Sequence, residues 1–310
     1  MPVVPPSEYT PPPSADMLAR QNDDDALRLL VAQRRLYSRA KRWLGLRWFG
    51  MLVIGLAAPV ISVVWPDLAV VSGAVAGLWI FLGRTVLMSA QSTATAKAAA
   101  TQEQFDFYVF GMPTSIERST LPSMEELSAI AGPDSRLRAV ATDEDLIDWY
   151  PIGPGDTGTV TVAISQRANA SYSDRLLRTT AVVWAILTAA WIVALIVASA
   201  VVGISLGTFL VGVLLPVLPA FLDVVEYVAG MRKAARGRGD LARSIEQHLK
   251  GNSGPIDGND LLVWQERLYE LRRSTPQVPD LIYKIKRAAN ERAMKSAASQ
   301  LGRQARKSGQ

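Results

Sequence analysis

The sequence TTAVVWAILTAAWIVALIVASAVVGISLGTFLVGVLLPVLPAFL, from Thr179 to Leu222, contains no Asp, Glu, Lys, Arg or His. Arg178 precedes this stretch and Asp223 follows it. A single helix of this length, rising about 1.5 Å per residue, would be about 66 Å long, twice the thickness of the hydrocarbon core of a bilayer. The stretch therefore predicts two transmembrane helices folded into a hairpin.

A second apolar stretch, from Trp48 to Gly83, contains one charged residue, Asp67, directly after Pro66. A Pro-Asp pair inside an apolar stretch is typical of a turn, so this stretch predicts another hairpin. The four predicted spans lie near Arg47–Trp65, Leu68–Leu87, Thr179–Ala200 and Gly203–Leu222. The predicted fold class is an all-α integral membrane protein with two transmembrane helical hairpins, helical stalks and a cytoplasmic helical domain.

Basic residues flank the spans and are absent from both hairpin turns. They are Arg34, Arg35, Arg39, Lys41, Arg42 and Arg47 before span one, Arg167, Arg175 and Arg178 before span three, and Arg232, Lys233, Arg236 and Arg238 after span four. Because positive charge favours the cytoplasmic side, we expect both termini and the middle segment to be cytoplasmic. Anionic headgroups of the lipid bilayer account for the net charge of +5, and no direct nucleic-acid partner is predicted.

Composition divides the chain into six predicted parts. These are a disordered Pro-rich tail (1–22), a cytoplasmic N-terminal helix (23–45), hairpin 1 (46–88), a cytoplasmic stalk and middle segment (89–178), hairpin 2 (179–222) and a cytoplasmic C-terminal helical region (223–310). The helices of spans two and three are expected to continue below the membrane as two stalks, because few helix breakers interrupt them. The start of the second stalk, Thr159–Ile164, also alternates like a strand, and a short helix is predicted at Asp143–Asp148.

The residue inventory argues against an enzyme. The chain has no cysteine and one histidine, His248, so neither thiol chemistry nor a histidine metal cluster is expected. No catalytic residue, cofactor or metal is predicted, and a hydrolase built on Glu103 and Asp106 would have no nucleophile beside it. Arg84 is the one ionisable residue near a span interior, and its side chain is expected to reach the headgroups. This scarcity disfavours an ion-coupled transporter.

Two carboxylates on the first stalk, Glu103 and Asp106, lie three residues apart and share one helix face. Arg167 and Asn169 lie on the opposing stalk. We predict a buried polar network of these four residues that fixes the register of the stalks, with a solvated face as the alternative.

At the lower mouth of span four, Asp223 and Glu226 could ring a pore and favour cations. The alternative is that they are simple charges at the membrane boundary. Pro216 and Pro219 kink the same span and are candidates for gating.

Four motifs follow one another in a distinctive order, interleaved with the two hairpins. They are LRLLVAQRRLYSRAKRW (Leu27–Trp43), QEQFDFYVFGMP (Gln102–Pro113), DWYP (Asp148–Pro151) with SQRANASY (Ser165–Tyr172), and WQERLYELRRSTPQVPDLIYKIKR (Trp264–Arg287). In this arrangement the chain resembles the SMODS-associated four-transmembrane effector family. The resemblance implies a pore-forming effector of bacterial antiphage defence, similar to the membrane effectors of CBASS systems. Such an effector senses a cyclic oligonucleotide and breaks the bacterial inner (plasma) membrane, which causes abortive infection.

A cyclic oligonucleotide needs cations for its phosphates and aromatic faces for its bases. The candidates are Arg167, Arg175, Arg272, Arg273, Tyr150 and Tyr283, all of which could instead make packing or headgroup contacts. A pore also needs several copies of a four-span chain, so a homo-oligomer is predicted. Two other functions remain open: a membrane scaffold that docks a soluble partner through its C-terminal helices, and a constitutive small channel.

Overall fold

The structure, a computed structural model, describes residues 9–113 and 118–308, and within these ranges its regular secondary structure is helical with no β-strand. In chain order the helices are α1 (Ser14–Arg20), α2 (Asp24–Val64), α3 (Val70–Phe110), α4 (Met124–Ala131), α5 (Asp134–Asp143), α6 (Gly158–Val202), α7 (Leu206–Leu249), α8 (Gly258–Ser274) and α9 (Asp280–Ser308). The predicted all-α membrane class is confirmed.

The four long helices α2, α3, α6 and α7 have 41, 41, 45 and 44 residues. A helix of that size is roughly twice as long as a bilayer core is thick, so each divides into an apolar and a polar part. We call 47–87 and 179–222 the membrane half, and the other described residues the polar half. Large apolar side chains of the membrane half point outward, as at Val70 (83% exposed) and Val201 (82%). This is the surface that a bilayer would cover, and the chain is a multi-pass membrane protein.

Both predicted hairpin turns are confirmed. Pro66–Leu68 forms one turn of 3₁₀-helix between α2 and α3. Gly203 ends α6 with φ of 72°, a left-handed conformation that glycine adopts without a steric penalty. Ser205 then caps α7 by accepting a hydrogen bond from the Thr208 N–H at 3.2 Å.

The two predicted stalks are also helical and continuous with the spans. Helix α3 runs unbroken into the polar half and ends at Phe110, before the left-handed Gly111. Helix α6 begins at Gly158, where the Thr157 side chain accepts from the Val160 N–H, so the alternating stretch after it is helical rather than a strand. Helix α2 packs chiefly on α3 and α6 on α7, which makes two long antiparallel hairpins.

The predicted disordered tail differs from the structure after its first residues. Residues 1–8 lie outside the described ranges, but residues 9–22 pack on the polar half. The Tyr9 hydroxyl donates to the Phe110 carbonyl at 2.9 Å, and Met17 is fully buried in α1. A Cβ on Gly258 would lie 1.9 Å from the Tyr9 carbonyl oxygen, so only glycine lets the two segments approach this closely. Two apolar anchors therefore outweigh the Pro-rich composition.

The helix predicted at Asp143–Asp148 is wrong. Helix α5 ends at Asp143, and the following Asp145 and Asp148 have φ of 52° and 53°. Aspartate tolerates this left-handed region, which cannot continue a right-handed helix. The Asn22 side chain fixes the turn, because it exchanges hydrogen bonds with the backbone N–H and the carboxylate of Asp148 at 2.9 and 2.8 Å.

Candidate functional site

Asp106 of α3 is the centre of the polar half and is fully buried. Its Oδ1 accepts a hydrogen bond from the Tyr150 hydroxyl at 2.5 Å. Its Oδ2 accepts from Gln265 Nε2 at 2.7 Å and from Arg272 Nη1 at 2.6 Å. Since Gln265 and Arg272 lie on α8 and Tyr150 follows α5, one carboxylate joins three separate elements. A buried carboxylate is stable only when it is paired and hydrogen-bonded in this way.

Gln166 brings helix α6 into the same network. Its Nε2 donates to Gln265 Oε1 at 3.1 Å and to the Leu261 carbonyl at 2.9 Å. Both glutamines are buried. A shift of α6 along α8 would therefore leave buried amide groups without partners, which fixes the register of these helices.

Glu103, one turn before Asp106, belongs to a second ion-pair group. Arg118 donates to both Glu103 oxygens, at 2.7 and 3.0 Å, and to Glu266 at 2.5 Å. The Arg118 guanidinium also lies 3.7 Å from the centre of the Tyr269 ring. Burial raises the pKa of Glu103, although Arg118 acts in the opposite direction.

Glu103 and Asp106, the carboxylates expected in the stalk network, are buried. Their cations are Arg118 and Arg272, however, and not the expected Arg167. Arg167 pairs with Glu246 of α7 at 2.9 Å instead, and half-buried Asn169 takes no part in the Asp106 hydrogen bonds among the described residues. The physical reason is that helix α8 lies against α3 and supplies Arg272. Sequence reasoning did not identify the network roles of Arg118, Gln166 and Gln265, although the last two lie within the quoted motifs.

Arg238 of α7 adds a second buried cation beside Arg272. Arg238 is 4% exposed and donates through Nη2 to the Leu271 carbonyl at 3.2 Å. Burial and the nearby Arg272 lower the pKa of Arg238 to about 10. Four buried guanidinium nitrogens of these two residues, Nε and Nη1 of Arg238 and Nε and Nη2 of Arg272, have no hydrogen-bond partner among the described residues. The network thus carries more positive than negative charge.

A third polar group lies where the helices pass from the membrane half to the polar half. Asp223 of α7 has a fully buried side chain and accepts from Arg47 of α2 at 2.7 Å. It also accepts from Arg84 of α3, at 2.9 Å from Nε and 2.6 Å from Nη2. We call these three residues the Asp223 clamp. Glu226 lies outside it, 66% exposed, with one contact to Arg84 at 3.1 Å. The clamp ties both hairpins together, and in this structure Asp223 does not face an open lumen.

Irregular turns occur in two helices of the clamp, one that contains Arg84 and one that ends at Leu214, more than two turns before Asp223. Arg84 lies in one turn of π-helix, Gly83–Leu87. In α7 a second π-turn, Phe209–Leu214, comes just before Pro216, which has no N–H to donate to the carbonyl four residues earlier. Pro219 follows within the same helix. Such turns are frequent at functional sites because they weaken the regular hydrogen-bond ladder.

Beside the clamp, three aromatic rings join helices α2, α6 and α7. Trp48 stacks on Trp184 with ring centroids 4.6 Å apart, and Tyr227 packs edge-on against Trp48 at 5.4 Å. The Tyr227 hydroxyl donates to the Gln277 carbonyl at 2.7 Å, and Gln277 Nε2 contacts Thr95 Oγ1 at 3.2 Å. The connection between α8 and α9 is therefore attached directly to the membrane boundary.

The structure separates the six expected nucleotide-binding residues. Tyr150 and Arg272 are buried on Asp106, and Arg273 pairs at the surface with Glu270 at 3.6 Å. Arg167 and Arg175 line one small cleft between α6 and α9. Tyr283 of α9 packs near Tyr172, with ring centroids 6.4 Å apart. Four of the six are thus brought together in two separate pairs, Tyr150 with Arg272 and Arg167 with Arg175.

The single histidine has a structural environment. His248 Nδ1 lies 2.9 Å from the Ser244 carbonyl, and its ring packs edge-on against Trp264. In the part of the chain that the structure describes, no group of three or more His, Asp or Glu side chains is placed to hold a metal ion.

A family model described as the SMODS-associating 4TM effector domain matches residues 15–301. No curated protein and no solved structure matches the chain.

Proposed function

The chain belongs to the family of SMODS-associating 4TM effector domains, and from this membership we propose that it forms or gates a pore in the bacterial inner membrane. The signal that opens the pore is a cyclic oligonucleotide made on phage infection, as in CBASS-like systems. Opening the pore dissipates the membrane potential and kills the infected cell before phage mature, which is abortive infection.

The observation that carries the proposal is the Asp223 clamp. It joins α2, α3 and α7 at the membrane boundary, and each of these helices continues into the polar half without a break. A ligand shifts a conformational equilibrium only if it binds one state better than the other. A ligand that moves the polar ends of these helices would strain the clamp. It would thereby favour a state in which the ion pairs of the clamp are broken.

The released state needs more than one copy. Four helices pack on one another in a single chain and leave little room for a lumen, so we propose a homo-oligomer. In the open state Asp223 and Glu226 would face the lumen and favour cations. Pro216 and Pro219 give α7 the bend that this needs. The basic residues at the polar ends of the spans favour a topology with both termini in the cytoplasm, where the proposed signal is made.

Dye release from liposomes tests this function. The full chain is reconstituted with an entrapped fluorescent dye, and cyclic di- and trinucleotides are added one at a time. We expect at least one of them to release the dye, because differential binding to the open state shifts the population. The matching linear dinucleotides, which carry similar charge, are the control and should release none.

Folded protein that neither binds nor responds to any cyclic nucleotide would contradict the proposal. Leakage that is the same with and without ligand would instead indicate a constitutive channel.

A membrane scaffold is the second candidate, and one feature favours it. Leu281 and Ile285, one turn apart on α9, are 70% and 67% exposed and form an apolar surface outside the membrane half. A scaffold predicts that a partner is recovered through α9 and that expression alone is harmless. Toxicity that requires intact spans would argue against it.

A further inference from the structure

An open cleft of about 460 Å³ lies between α2 and α4, on a different face of α2 from the one that contacts Tyr283. Its lining residues are Arg35, Leu36, Ser38, Arg39, Arg42, Glu126, Ala129 and Ile130. The volume is within the range of small-molecule sites. We propose that this cleft binds phosphodiester groups through its arginines.

The first argument is the surplus of positive charge. Arg35, Arg39 and Arg42 are spaced by four and three residues, which places them on one face of α2. The one carboxylate in the cleft, Glu126, is already paired with Lys97 at 2.6 Å. Like charges at these spacings destabilise a helix unless something neutralises them, so the cleft is suited to an anion.

The second argument is that two of the arginines are free. Arg39 and Arg42 are exposed and have no ion pair or hydrogen bond among the described residues. Neighbouring Arg34 on another face of the same helix, by contrast, pairs with Glu144 at 2.9 Å. Arg35 is held in place because its Nη1 donates to the Ile130 carbonyl at 2.6 Å. A fixed arginine beside two free ones suits phosphate, whose oxygens match the fork of a guanidinium.

The third argument is the shape of the cleft and its position. Leu36, Ala129 and Ile130 give it an apolar wall against which a ribose, a base or a glycerol backbone can pack. Arg42 precedes Arg47 of the clamp by little more than one turn of the same helix. A ligand that bridges α2 and α4 would therefore act on the helix that holds the clamp.

Two sources can supply the phosphodiester: the cyclic oligonucleotide of the proposed function, or an anionic phospholipid at the adjacent membrane surface. The nucleotide as the source rests on the proposed function, whereas the phosphate site itself does not. Binding is measured on the full chain in nanodiscs, in two arms. Cyclic di- and trinucleotides are the probes in nanodiscs of phosphatidylcholine alone, and retention of phosphatidylglycerol by the purified protein is the second readout.

The test variant is Arg39→Gln/Arg42→Gln, and the control is Arg136→Gln/Arg138→Gln, which removes two exposed arginines from α5. Loss of two charge-assisted contacts should weaken binding by about 100-fold or more, with the control unchanged. Arg39→Lys/Arg42→Lys keeps the charge without the fork and should lose less. Because Arg39 and Arg42 have no described partners and repel each other, the unfolding temperature should not fall.

If nucleotide binding is weaker in the test variant, the cleft binds the signal nucleotide. If only the retention of phosphatidylglycerol is weaker, the cleft is a lipid site. If the test variant is folded and neither measurement changes, the proposal is overturned. Wild-type protein that binds no nucleotide counts against the proposed function alone, since the lipid arm still tests the cleft.

Discussion

Replacing Asp223 by asparagine is expected to make the membrane leak without any ligand. The substitution keeps the shape of the side chain and removes the charge that holds Arg47 and Arg84 at 2.6–2.9 Å. Breaking a buried ion pair costs about 3–5 kcal/mol, because the remaining charge stays buried without a partner. Arg84 is 42% exposed, so the lower end of that range applies here.

A loss of about 3 kcal/mol changes the ratio of clamped to released protein by roughly 150-fold. If released protein is a minor state of the unliganded chain, this shift makes it common. Spontaneous dye release from liposomes and growth arrest on expression measure the effect. Glu226→Gln is the matched control, because Glu226 has one exposed contact with the same Arg84. We expect it to behave like the wild type.

The triple variant Asp223→Ala/Arg47→Leu/Arg84→Leu separates gating from stability. It removes the clamp without leaving a buried charge unpaired, since Glu226, which loses its contact with Arg84, is exposed, so the chain should fold and still leak. A different result would contradict this role of the clamp. If folded Asp223→Asn protein releases no dye without ligand and releases it with ligand as the wild type does, the clamp does not hold the pore closed.

The apolar architecture could be predicted from the sequence because it depends on local properties. A stretch without charge predicts a span wherever it occurs, and Pro66 and Gly203 determine their turns through their own backbone chemistry. The same reasoning correctly extended α3 and α6 into the polar half, because neither stretch contains a residue that stops a helix. It failed for residues 9–22, where two buried side chains, Tyr9 and Met17, decide the structure against the overall composition.

The polar site could be predicted only in part because its partners are distant in the chain. Helical spacing places Glu103 and Asp106 on one face, and both are buried. Their cations are set by how α8 and the segment after α3 pack, and Arg272 is 166 residues from Asp106. Arg84, expected among the headgroups, meets Asp223 because the two hairpins lie side by side. No local pattern in a single sequence contains that arrangement.

Asp106→Asn is expected to be the most destabilising single change in the polar half. Both oxygens of Asp106 accept hydrogen bonds, from Tyr150 on one side and from Gln265 and Arg272 on the other. An asparagine NH₂ in either position would face a donor. The change would also leave Arg272 buried without its ion-pair partner, close to the buried Arg238. We expect a loss of about 3–5 kcal/mol in the free energy of unfolding.

Thermal unfolding of the detergent-solubilised chain, followed by tryptophan fluorescence, measures this loss. It should lower the unfolding temperature by roughly 10 °C. Tyr150→Phe removes one donor and leaves the charge, so it should cost about 1 kcal/mol. An unfolding temperature unchanged in Asp106→Asn would contradict the assignment of this carboxylate as the charge that holds α3 to α8.

Arg238→Met is expected to change the free energy of unfolding in the opposite direction to Asp106→Asn, by stabilising the same network. Arg238 is buried, its pKa is lowered to about 10 by burial and by Arg272, and two of its nitrogens have no described partner. Replacing buried ion pairs by apolar side chains of similar volume is often neutral or stabilising, by about 1–4 kcal/mol, and Arg238, which has no ion pair among the described residues, should follow the same direction. The variant could be more stable and yet no longer open when ligand is added. That result would indicate that the surplus positive charge keeps the free energy of the closed state close to that of the open state. A variant that is less stable would indicate instead that the Nη2 hydrogen bonds to the Leu271 carbonyl and Thr275 Oγ1, at 3.2 and 3.3 Å, outweigh the cost of burying the charge.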